Sequence, residues 1–166
     1  MKKILSDKFM RIIKAKKKLE KSLNLEITNR GKEIFLEGKP EDEYIGEKVI
    51  DAINLGFSIE DALLIKAEDC SLEIINIKNH TKRKDLASIR ARLIGKKGKT
   101  KNTLCELTNC ILEIKNNEIG IIGPAENIQN AQEAIKSIIK GSKQANVYAF
   151  LEKHRVQPVL DLGLKE

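Results

Sequence analysis

The chain has 166 residues, 41% hydrophobic and 33% charged, and its 31 Lys/Arg against 24 Asp/Glu leave a net charge of +7. That apolar content suffices for a packed core and argues against a disordered chain, and no apolar run approaches the ~20 residues that span a bilayer. Three cysteines without a CxxC pair, two histidines far from them and an N-terminus without a signal-peptide pattern argue against a disulfide scaffold and a zinc module; they predict a reduced, soluble, cytoplasmic protein with no metal or cofactor.

Residues 1–32 hold 11 basic residues against 3 acidic ones, with the run Lys14-Ala-Lys-Lys-Lys18 at their centre. Leu25–Ile27 and Glu33–Gly38 read as strands joined through the turn residues Asn29-Arg-Gly31. Ile45, Val49, Ala52 and Ile53 recur at helical spacing, and Gly56 is placed to end that helix. The segment 33–81 reverses the charge, with 4 basic against 12 acidic residues, and residues 58–71 predict a connecting helix and linker. Leu72–Lys78 is isoleucine-rich and reads as a strand. Asp85 then caps a helix carrying Leu86, Ile89 and Leu93. After the break Gly95-Lys-Lys-Gly98, a second helix carries Thr100, Leu104 and Leu107, inside a stretch (82–104) with 9 basic residues and 1 acidic one. The strands Cys110–Lys115 and Glu118–Gly123 and a long helix ending near Lys140 complete a β-α-α-β-β-α order, and 142–166 read as a C-terminal helix and tail.

This organisation occurs twice. Glu33-Ile-Phe-Leu-Glu-Gly38 aligns with Glu118-Ile-Gly-Ile-Ile-Gly123, Gly56 with Gly141, Ile50 with Ile135 and Ile53 with Ile138, a repeat of about 85 residues. The length therefore resolves into two α+β modules, residues 1–57 and 72–141, rather than one domain of average size. The charge resolves into two basic blocks around an acidic one. A lysine-rich helix alone reads as a solvated face, but the same pattern twice points to a polyanion.

Gly95-Lys-Lys-Gly98 suits a phosphate. Glycine admits close backbone approach, the amides of a helix start favour an anion, and Lys96, Lys97, Lys99, Lys101, Arg90 and Arg92 supply charge around it. Leu93 and Ile94, next to the strand Leu112–Ile114, offer an apolar floor for bases. The string Gly98-Lys99-Thr100 superficially matches the end of a P-loop, but Leu93 stands where the first glycine belongs, and a helix precedes the loop where a strand is required. No Ser or Cys nucleophile has a partner and no general acid/base pair completes itself, so no catalytic constellation is present. Cys105 and Cys110 read as packing residues.

Ile94-Gly-Lys-Lys-Gly98 in this element order resembles a type I KH domain, a reader of single-stranded nucleic acid. Ala52-Ile-Asn-Leu-Gly-Phe-Ser-Ile-Glu-Asp-Ala-Leu63, Ala91-Arg-Leu-Ile-Gly-Lys-Lys-Gly-Lys-Thr-Lys101 and Val147-Tyr-Ala-Phe-Leu-Glu152 are similar to the archaeal branch of the partner-of-NOB-one (Dim-two-like) rRNA-processing family. The resemblance implies two tandem type I KH-like modules, each a three-stranded antiparallel sheet packed on helices, the first without a GxxG loop because no glycine precedes Gly31. It implies a non-enzymatic assembly factor at the 3′ end of the small-subunit rRNA precursor. The implied partners are the 3′-end endonuclease, the rRNA adenine dimethyltransferase and the alpha subunit of initiation factor two. Gly95, Lys96, Lys97 and Gly98 would clamp RNA backbone, Lys99 and Lys101 would contact phosphates, and Ile94 and Ile114 would line the base groove. Two rival readings stand beside this one: a KH protein acting on messenger RNA or in a decay complex, and a protein-interaction scaffold.

Overall fold

A computed structural model describes residues 1–155. The N-terminal basic block forms β1 (Lys2–Leu5), α1 (Phe9–Lys14) and α2 (Lys16–Leu23), followed by β2 (Glu26–Arg30), β3 (Glu33–Glu37) and the long helix α3 (Pro40–Leu55). β1 has no counterpart among the expected elements. Lys2-Lys-Ile-Leu5 is too short to show an alternating pattern, and it becomes a strand only by pairing with β3, Ile4 opposite Ile34. α3 starts with Pro40 at its first position and sets Glu41, Asp42 and Glu43 in its first turn, at the positive end of the helix dipole. It ends at Gly56, whose φ of 114° needs a residue without a Cβ. α1 and α2 are separated by Ala15 alone, so the first module has no loop at all where the second has its glycines.

Ser58 caps α4 (Ile59–Leu63) by accepting from the Asp61 amide at 3.1 Å, and a 3-10 turn at Leu64–Lys66 leads to β4 (Cys70–Asn76). The strand is displaced from the expected Leu72–Lys78, because Ile77 already opens a 3-10 turn that runs to His80. α5 (Leu86–Ile94) starts as expected at Asp85, whose carboxylate accepts from the Ser88 amide at 3.2 Å. α6 (Lys99–Thr108), β5 (Ile111–Lys115), β6 (Glu118–Pro124) and α7 (Ala125–Ile139) follow, then α8 (Gln144–Lys153). The rest of the expected tail, residues 156–166, lies outside the described residues.

Each module is thus β-α-α-β-β-α with a three-stranded antiparallel sheet, ordered β1-β3-β2 in the first and β4-β6-β5 in the second. Two hydrophobic clusters form. The second joins Ile75, Ile119 and Ile121 of the sheet to Ile89, Leu93, Leu104, Ile135 and Ile138 of the helices. The first gathers Ile12, Leu19, Ile27, Ile34, Leu36, Ile50, Ile53 and Phe57, and it also takes Leu72 and Ile122 from the other module's sheet. The central strand β6 is therefore covered on both faces, which explains why it reads as a nearly continuous apolar run rather than an alternating one.

Gly120 permits this cover. A Cβ there would lie 2.8 Å from both Leu55 Cδ1 and Phe57 Cε2. Lys115 reinforces the seam, its ammonium donating to the Asn54 carbonyl at 2.8 Å near the end of α3. Among the described residues no helix is long and apolar enough to cross a membrane.

Candidate nucleic-acid interface

The Gly-Lys-Lys-Gly segment forms one 3-10 turn, Lys96–Gly98, wedged between α5 and α6. Its two glycines are there for different reasons. Gly95 (φ 76°, ψ 174°) occupies a backbone region open essentially to glycine alone, and a Cβ on it would run into Thr100, with the Thr100 Cβ and amide nitrogen both at 2.7 Å. Gly98 (φ 76°, ψ 12°) is left-handed but open, its nearest neighbour being Asn102 Nδ2 at 4.0 Å. Gly95 thus sets the loop's shape, while Gly98 keeps its outer surface bare. Gly95→Ala is expected to cost about 2–4 kcal/mol of stability, from the backbone strain plus displacement of Thr100. Gly98→Ala is expected to cost about 1 kcal/mol, and urea denaturation of the two variants checks the ordering.

Lys97 adds to the strain, holding a left-handed φ of 56° without being glycine. α6 then begins at Gly98 with no side-chain cap and no acidic residue in its first turn, where Lys99 and Lys101 stand instead. Cations at the positive end of a helix are locally unfavourable, and a bound anion relieves that repulsion. Lys96, Lys97 and Lys99 are exposed, and none has an acidic partner among the described residues. They line a cleft of about 500 Å³ together with Asn102, Thr103 and Glu106.

The other expected cations are engaged elsewhere. Arg90 donates to the Asn117 side chain at 2.8 Å and to the Asn116 carbonyl at 3.3 Å, in the turn between β5 and β6. Arg92 donates to the carbonyls of Ile138 at 3.0 Å and Ser142 at 2.6 Å, where α7 ends. Lys101 is half-buried and paired with Glu113 on β5 at 3.3 Å. The sequence places these three beside the loop, but it cannot reveal that long-range acceptors already hold their charged ends. Ile94 closes α5 just before the loop and remains 38% exposed. Ile114 lies half-buried on β5, an edge strand, against the second core. Sequence reasoning places Thr100 on the second helix but misses Gln144 and the hydrogen bond between the two. Their signal is only tertiary.

Burial pushes the Cys110 thiol up to about 11 and raises that of Cys105, so neither is a ready thiolate. A further cleft of about 600 Å³ lies between α3 and β4, lined by Tyr44, Lys48, Leu72 and Ile74 among others.

Comparison with known proteins agrees with this geometry. Residues 71–156 match the family model for the second KH domain of PNO1, described as a eukaryotic-type KH domain (KH-domain type I). A KH domain-containing protein of Methanocaldococcus jannaschii is 32% identical over 108 residues, covering 64% of this chain and 48% of the relative. The pre-rRNA-processing protein pno1 of Aspergillus oryzae is 34% identical over 112 residues, covering 65% of this chain and 43% of its own length. The chain thus spans just under half the length of these curated relatives. Among solved structures, Dim2p from Pyrococcus horikoshii superposes with a TM-score of 0.85 at 27% identity, covering 92% of this chain and 98% of that one. The a/eIF2alpha–aDim2p–rRNA complex from the same organism gives 0.83 at 27% identity, covering 93% of each. The loop, the element order and the matched residues together make the chain a member of the PNO1 (Dim2) family of type I KH-domain proteins.

Proposed function

We propose that this protein is a non-enzymatic adaptor of small-subunit ribosome assembly that binds single-stranded RNA near the 3′ end of the small-subunit rRNA precursor. The observation that carries the reading is the loop. Gly98 leaves the loop's outer backbone open to a phosphate, Gly95 gives the loop its shape, and Lys96, Lys97 and Lys99, without an acidic partner among the described residues, surround it at the uncapped start of α6. Ile94 and Ile114 supply the apolar wall, and a module of this kind clamps about four nucleotides. Arg90, Arg92 and Lys101 act behind this surface, setting the helices and the edge strand in place.

The likeness at 27% identity to a chain solved with rRNA and a/eIF2alpha supports both the RNA and an initiation-factor alpha subunit as partners. The 3′-end endonuclease and the rRNA adenine dimethyltransferase are proposed as functional neighbours in the cytoplasm. No cofactor enters the reading. The first module, with one residue in place of a loop, lacks the close backbone approach and is assigned to positioning.

Binding of the purified protein to a single-stranded rRNA 3′-end fragment, against the same sequence as a duplex and a scrambled strand, tests the proposal. Preference for the native single strand by at least tenfold is expected. Equal affinity for the scrambled strand overturns the rRNA assignment in favour of a general RNA-binding role, and no binding to any strand favours a protein scaffold.

A further inference from the structure

A fixed clamp needs its two supporting helices held at a constant separation, and the 3-10 turn cannot do this alone. Lys97 and both glycines sit at positive φ, and the turn's internal amide bond, Gly98 to the Gly95 carbonyl at 3.2 Å, closes only a short ring. The tie comes from outside the β-α-α-β-β-α module. Gln144, the first residue of α8, donates from one amide nitrogen to the Arg92 carbonyl in the last turn of α5 and to the Thr100 hydroxyl in the first turn of α6, both at 3.2 Å. Its two N–H groups therefore bridge the loop from behind, one bond on each side.

The partners are constrained in turn. The Arg92 carbonyl belongs to the last turn of α5, where a helix runs out of its own donors. Thr100 is buried and fills the space a Gly95 Cβ would take. Arg92 closes the circuit by gripping the Ile138 and Ser142 carbonyls, so α5 holds the turn from which Gln144 emerges while Gln144 holds the backbone of α5.

We infer that Gln144 is a positioning residue for RNA binding: with Thr100 and Arg92 it fixes the spacing of α5 and α6 and so pre-organises the Gly95–Gly98 clamp. The consequence for binding rests on the RNA-binding reading; the tie between the helices does not. Val147 and Leu151 bury α8 in the second core independently of Gln144, so the helix stays docked when the amide is removed.

The test uses the full chain with Gln144→Met, which keeps the length of the side chain and removes its hydrogen bonds, Gln144→Glu, which keeps an acceptor but loses the donors, and Thr100→Val. Amide hydrogen exchange of residues 95–99 is read without RNA, and dissociation from the single-stranded rRNA fragment is read separately. Each variant is expected to speed exchange at the loop, leave the thermal midpoint within a few degrees, and weaken RNA binding by about threefold to tenfold, the range of one or two neutral hydrogen bonds. The Gln144→Met/Thr100→Val double variant is expected to lose less than the product of the single losses, because both remove a shared bond.

Unchanged loop exchange in both Gln144 variants overturns the inference, as does faster exchange with RNA dissociation unchanged. Failure of the wild-type protein to bind the fragment instead overturns the functional reading, and the loop exchange still decides whether Gln144 shapes the clamp.

Discussion

Replacing Lys96 and Lys97 together with aspartate is expected to lower affinity for the single-stranded rRNA fragment by about a hundredfold or more. Charge-assisted hydrogen bonds contribute ~1.5–3 kcal/mol each, and the substitution also sets two anions against the phosphates. The dependence of affinity on salt is expected to flatten by ~0.7 in log–log slope for each phosphate no longer neutralised. Stability is expected to move the other way. Both side chains are exposed, and acidic residues beside the start of α6 suit the helix dipole better than lysines do. Aspartate also accepts the left-handed backbone of position 97 more readily than most residues. A variant slightly harder to unfold yet nearly unable to bind separates a functional loop from a structural one. Titration of the fragment at several salt concentrations, with urea denaturation of the same samples, reads both quantities, and unchanged affinity removes the loop from the interface.

Phe57→Ala is expected to produce a large loss of stability, about 3–5 kcal/mol, against the ~5–15 kcal/mol that holds a typical domain. Phe57 is fully buried, belongs to the first cluster and meets the second sheet at Gly120, while its carbonyl accepts from Arg11 at 3.3 Å. Truncation leaves a cavity at the seam rather than inside either module, so both lose packing. Urea denaturation followed by circular dichroism is expected to show a lower midpoint. A loss below about 1 kcal/mol would mean that the seam contributes little to stability.

Much of this fold is legible in the residues. The repeat, the helical spacing of Ile45, Val49 and Ile53, the Asp85 cap and the Gly95–Gly98 break are all local patterns, and local patterns survive in a one-dimensional reading. β1 is not legible, because four residues with Ile4 as the one partly covered side chain take their conformation from β3. Nor are the ties of Arg90 and Arg92, whose acceptors lie 26 to 50 residues away in the chain. Charge counting ranks all the basic residues near the loop alike, whereas the fold separates those whose charged ends are held from Lys96, Lys97 and Lys99, which stay open. Gln144 carries no charge and no motif, and its role exists only once α8 docks behind the loop.

The double cover of β6 bears on how this protein can be divided. A KH module is commonly regarded as a cassette, to be moved between chains or studied alone. Here the second module lacks an independent surface on one side. Ile111 and Ile122 lean on side chains contributed before residue 60, and Gly120 is bare because Leu55 and Phe57 occupy the space beside it. Cutting at the linker would turn that shared wall into a greasy exterior, a site for self-association rather than for RNA. The smallest portable unit in this chain is therefore the pair.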